Sequence, residues 1–188
     1  MEWHVSDAQS LGLIDNEIGD HGFSAAEYEI VRRVIYATAD FEYKSLISFS
    51  DQALQAGAAA LAARTTIVGI TPQIQNTFAN PVYCSMEALT RPQKERTRAA
   101  WGIETLARRY PEGIFVVGQA QTSLSALVDL IEAEEIRPAL DVAKSRLHDS
   151  MVPHIRIEGR KGSAVVAVAI VNGLVDLAWQ AYGQEGNS

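Results

Sequence analysis

The chain has 188 residues, 47% hydrophobic and 21% charged, enough for one medium domain around a single buried core. Its net charge of −7 argues against a nucleic-acid partner, because binding phosphates needs a basic face. One cysteine, Cys84, excludes an internal disulfide and a cysteine-cluster metal site.

The opening MEWHVSDAQS is polar and acidic, so no export signal is expected, and residues 1–23 read as an arm ending in the turn-rich Gly19-Asp20-His21-Gly22. A helix is predicted from Ser24. Ser24 as N-cap with Glu27 three residues later is a capping box. Val31, Val34, Ile35 and Thr38 follow at the spacing of one buried face. Phe41–Ser50 breaks the pattern, and the alanine-rich Asp51–Ala63 predicts a second helix. Thr65–Ile70 is a β-branched run expected as a buried strand, and Pro81–Met86 as another. A helix over Thr97–Arg109, a strand over Gly113–Gly118 and a helix over Ser123–Ala133 come next. Ile136–Leu140 opens a further apolar segment, Val152–Ile157 reads as a strand, Gly159–Ser163 as a loop and Ala164–Tyr182 as a closing helix. The longest apolar run, AVVAVAIVNGLV from Ala164, is shorter than the roughly 20 residues a bilayer span needs, so a cytoplasmic protein without a membrane partner is expected. Strands alternating with helices predict an α/β fold: a single domain over 1–188 with a mainly parallel sheet flanked by helices. In such sheets ligands lie beyond the carboxyl ends of the strands, here the loops Gly118–Ser123 and Gly159–Ser163.

The chemistry concentrates in four places. Tyr36, with Thr38 and Asp40, stands where the first predicted helix ends in polar residues; a bare reading lets Tyr36 simply pack that end. Arg98 opens a predicted helix, where a guanidinium can pair with a carboxylate ligand, while Arg96 reads as a solvated arginine. The turn Gly118-Gln119-Ala120-Gln121-Thr122-Ser123 leads from strand to helix and offers backbone N–H groups to an anion. It is neither a G-x-G-x-x-G nor a Walker loop, so a nucleotide-binding flavodoxin-like module has little support. Arg160 and Lys161, between Gly159 and Gly162 and ahead of Ser163, suit a carboxylate-rich ligand or a merely solvated basic turn. His4, His21, His148 and His154 are scattered without zinc spacing, and His154 reads as structural; no metal is expected.

These four stretches carry a family resemblance. VRRVIYATADFEY from Val31 resembles the R-x-I-H-x-T-x-D-F region of precorrin-8X methylmutases, with Tyr36 where the family has histidine. TRAAWGIE from Thr97 is similar to T-R-x-A-x-G-I-E, and VVGQAQTSL from Val116 to V-V-G-N-A-P-T-A-L. GRKGSAVVAVAIVN from Gly159 resembles G-R-K-G-G-S-x-V-A-A-A-I-V-N. The resemblance implies a corrinoid isomerase of cobalamin biosynthesis that moves a methyl group from C11 to C12 of precorrin-8X or cobalt-precorrin-8. It implies a tetrapyrrole ligand, no cofactor, and a homodimer with the cleft near the interface. It assigns Tyr36 and Arg98 to catalysis, and Arg32, Thr38, Asp40, Gln119, Thr122, Ser123, Arg160, Lys161, Gly162 and Ser163 to substrate binding. A phenol titrates near ~10 and exchanges protons poorly at neutral pH, so Tyr36 also raises the alternative of a corrinoid-binding relative without isomerase activity. Two family segments are missing: V-x-D-V-x-M-V between Ile67 and Val68, and V-I-x-x-P-x-G-F-V between Leu140 and Asp141. Each join is expected to cut an apolar strand short and to expose its neighbours.

Overall fold

The computed structural model describes residues 5–70, 79–88, 96–118, 120–144 and 152–183. Where an arm was expected, Val5–Ile18 forms helix α1. Its surface is mostly polar, but Leu11, Ile14 and Ile18 recur on one helical face and are buried in the core. Helix α2 (Ala25–Thr38) starts as predicted. Ser24 Oγ accepts from the Glu27 N–H at 3.3 Å, and Glu27 Oε2 accepts from the Ser24 N–H at 2.8 Å. It stops at Ala39, which takes a left-handed φ of 53° and donates its N–H to the Ile35 carbonyl.

The expected break after α2 contains a short helix α3 (Tyr43–Leu46) and strand β1 (Ile47–Phe49). The remaining elements follow in chain order, most with trimmed ends: α4 (Ala53–Ala62), β2 (Ile67–Gly69), β3 (Val82–Cys84), α5 (Arg98–Arg109), β4 (Ile114–Val116), α6 (Gln121–Glu132), which starts before the expected Ser123, β5 (Leu140–Lys144), which follows the expected apolar segment Ile136–Leu140 rather than filling it, β6 (His154–Ile157) and α7 (Ala164–Tyr182). They build one six-stranded sheet in the order β1-β6-β5-β4-β2-β3, parallel throughout except for β1, which pairs antiparallel with β6. Ile67, Ile114, Leu140, Val142 and Ile155 point to the face covered by α1, α2, α4 and α7. Val68, Phe115, Val117 and Ala143 point to the face covered by α5 and α6. Alternation along parallel strands with both faces apolar is the signature of a sheet between two helical layers.

The two abrupt joins do not cut the sheet. β2 runs through Ile67-Val68-Gly69, paired with β3 on one side and β4 on the other. β5 runs through Leu140-Asp141-Val142, paired with β4 and β6. The hydrogen-bond ladder is whole across both joins. Asp141 stands in the middle of the sheet, on β5 between β4 and β6. It is fully buried, and among the described residues neither carboxyl oxygen has a hydrogen-bond partner.

Helix α7 is longer than the apolar run read from the sequence. Among the described residues it is the one helix with the length and hydropathy to cross a bilayer, but it lies between α2 and α4 and buries Val166, Ile170, Val171 and Leu174 in the core. Gly173 permits that packing: a Cβ there would meet Ile30 Cγ1 of α2 at 2.8 Å. Gly102 plays the same part across the sheet, where a Cβ would stand 2.0 Å from the Ser85 carbonyl oxygen at the end of β3.

Candidate active site

Helices α5, α6 and α7 all begin at the carboxyl edge of the parallel strands, and the antiparallel packing of α2 on α7 brings the end of α2 to the same edge. Tyr36, 38% exposed, faces a hollow of about 450 Å³ whose other walls include Arg33, Ala37, Val165, Val168 and Asn172. On the other side of the start of α7, Lys161, Gly162 and Ser163 meet Val117 and Gly118 around a crevice of about 20 Å³. Gly159 and Gly162 take φ of +73° and +136°, backbone that favours glycine and lets the loop turn back towards α2. Ser163 then caps α7, its Oγ accepting from the Val166 N–H at 3.4 Å.

A short ion-paired bridge joins this loop to α2. Lys161 Nζ lies 2.5 Å from Asp40 Oδ2 and 2.5 Å from Glu42 Oε2, and the Glu42 N–H donates to Asp40 Oδ1 at 3.0 Å. The hydrogen bond from Lys161 holds the Asp40 carboxyl below its ordinary range, and the bonds to both carboxylates raise Lys161. Thr38 Oγ1 donates to the Val34 carbonyl at 2.7 Å, which anchors the hydroxyl on the end of α2. At the neighbouring helix starts, Thr97 Oγ1 and Thr122 Oγ1 are 3.0 Å apart, so exposed Arg98 and Thr122 share one surface.

Not every expected contact lies there. Arg32 turns away: its guanidinium is 3.1 Å from Asp15 Oδ2 of α1 and 2.6 Å from Glu29 Oε1. Tyr28 joins that cluster by donating to Asp15 Oδ1 at 2.5 Å; burial, then this bond, pushes its hydroxyl up to about 12. The arginine beside Tyr36 is Arg33, held by Asp176 of α7. Ser123, in the first turn of α6, is completely buried and presents no surface to a ligand. Gln119 lies outside the described residues. Arg96 is not merely solvated, because it pairs with the buried Glu104 of α5. His154 is structural as expected, its Nδ1 2.9 Å from the Val152 carbonyl oxygen.

The family profile described as precorrin-8X methylmutase matches residues 7–177. The chain belongs to the precorrin-8X methylmutase family. It is 34% identical to a cobalt-precorrin-8 methylmutase of Synechocystis, over 92% of this chain and 94% of that protein. A precorrin-8X methylmutase of Pseudomonas aeruginosa is 29% identical over 88% of this chain and 91% of its own. The crystal structure of a precorrin-8X methyl mutase from Thermus thermophilus superposes with a TM-score of 0.80 at 34% identity, covering 95% of this chain and 99% of that one. The family motif makes Arg33 legible in hindsight. Its arginine precedes its histidine by three residues, as Arg33 precedes Tyr36, and residues so spaced share a helix face. The methylmutase motifs contain no signal for Glu42, which reaches Lys161 only because α3 folds the chain back.

Proposed function

We propose that this chain is a corrinoid isomerase that moves a methyl group from C11 to C12 of precorrin-8X or cobalt-precorrin-8. The observation that carries the reading is the family match over residues 7–177, whose motif residues gather at the carboxyl edge of the sheet. The relatives bear the names of isomerases, which does not favour a binding protein without activity. The reaction is intramolecular: the substrate supplies both the methyl group and the conjugated ring. The protein has only to hold the macrocycle, orient the migrating methyl and place a proton donor. Tyr36 stands over the apolar hollow that would take one edge of the ring. Arg98, Thr122, Arg160 and Lys161, with the starts of α5, α6 and α7, would receive its acidic side chains. The test is conversion of precorrin-8 to hydrogenobyrinate, followed by visible absorption; a purified protein that binds the ring but never converts it would refute the isomerase.

In the same reading, Arg98→Ala and Lys161→Ala each weaken hydrogenobyrinate binding about tenfold or more while leaving the fold intact, as expected for charge-assisted bonds of ~1.5–3 kcal/mol. Titration at low salt checks this, and a change below about twofold in both removes them as contacts.

The protein acts in the cytoplasm as a homodimer. Support comes from α7, where Val165, Val168, Asn172, Val175, Trp179 and Tyr182 recur alternately three and four residues apart and line its outward hollows. A helix seam with that repeat pairs well with a second helix. Trp179, 69% exposed, is its largest side chain. Trp179→Glu is therefore expected to shift the sedimentation profile from dimer to monomer, and an unchanged profile would place the interface elsewhere.

A further inference from the structure

Lys161 faces two carboxylates with one charge. Asp40 is fixed at two points, by Lys161 at 2.5 Å and by the Glu42 N–H at 3.0 Å. Its side chain is 29% exposed. Glu42 is different. Its side chain is 69% exposed, and among the described residues its carboxylate has Lys161 as its one partner. A ligand carboxylate that reaches Lys161 competes with these two for its single charge, and Glu42 is the one free to swing into water.

We infer that Glu42 is a place-holder for a substrate carboxylate: it covers Lys161 in the empty site and gives way when an acidic side chain of the ligand arrives. This rests on the corrinoid reading above and assigns Glu42 a part in specificity. A ligand carboxylate replaces Glu42 like for like, ammonium to carboxylate. A neutral amide cannot match that exchange, because it would strip Lys161 of a charged partner without supplying another. Glu42 thus lowers the affinity of an acidic ligand by the strength of its own bond to Lys161, and it keeps off the ammonium a neutral ligand that cannot displace it. An exposed pair of this kind is weak enough to exchange and strong enough to select.

The experiment compares wild type with Glu42→Gln, an isosteric surface change, titrated at low salt with hydrogenobyrinate and with cobinamide, whose side chains are amides. Hydrogenobyrinate is expected to bind the variant about two- to fivefold more tightly, as removal of an exposed competing ion pair predicts. Added salt should narrow that gap, and cobinamide should gain nothing comparable. Equal weakening of both ligands in the variant would make Glu42 a brace for the loop and overturn the inference. So would an unchanged affinity for hydrogenobyrinate, with the corrinoid reading left standing. If wild type binds neither ligand, the corrinoid reading itself fails, and the place-holder with it.

Discussion

Tyr36→His is expected to raise the single-turnover rate of precorrin-8 rearrangement at least about tenfold without a comparable gain in binding. The phenol stands at the rim of the hollow between α2 and α7, so the side chain is in position to touch the ring. What it lacks is the imidazole of the family motif. A phenol with a reference value near ~10 donates a hydrogen bond but gives up its proton slowly, whereas an imidazole both gives and takes one. Positioned acid–base chemistry contributes ~10²–10⁴ in rate, and tenfold is a cautious fraction of that range. Rapid-quench measurement of the first turnover, beside a visible-absorption titration, separates rate from affinity. If wild type already turns over at ordinary enzymatic speed and the histidine changes nothing, the proton donor is another group, with Arg98 the next to test.

The second large effect concerns Asp141 and pH. Burial alone pushes its carboxyl up from 3.8 to about 8, since neither oxygen has a hydrogen-bond partner to stabilise the charge. The folded protein therefore holds a proton that the unfolded chain gives up between about pH 4 and pH 8. Where the folded state binds more protons, stability falls as pH rises. The stability tied to Asp141 is thus fully present below about pH 4 and is lost progressively up to about pH 8. The slope is at most about 1.4 kcal/mol per pH unit, several kcal/mol across the window. Asp141→Asn cannot ionise and should remove this slope. It should match wild type near pH 4 and exceed it clearly near pH 8 in urea denaturation. Identical slopes for the two proteins would show that Asp141 is not the group that titrates.

Much of the architecture was legible in the chain because it rests on local rules. The capping box at Ser24 and Glu27, the alternation of β-branched runs with helical periods, and Ser163 at the start of the last helix depend on neighbours within four residues. They predicted the α/β class and the position of the site beyond the strand ends. The family motifs added the ligand and the reaction. Other features depended on contacts between segments far apart in the chain. Helix α1 is too polar to announce itself and holds through three residues that meet the core. β1 is three residues that count as a strand only because β6 lies antiparallel beside them. Which arginine meets the hollow was settled by the rotation of α2: Arg32 faces α1 and Asp15, while Arg33 faces α7 and Asp176. The continuation of β5 past Leu140 into Asp141–Lys144 was likewise invisible, because it is fixed by pairing with β4 and β6 on either side rather than by the preferences of those residues. The sequence by itself thus determined the fold class, the order of most helices and strands from α4 onward, and the family. Only tertiary structure decided which side chains converge, because the facing of a helix and the pairing of a short strand are set by burial against partners over 100 residues away in the chain, as for Arg33 with Asp176, 143 residues apart.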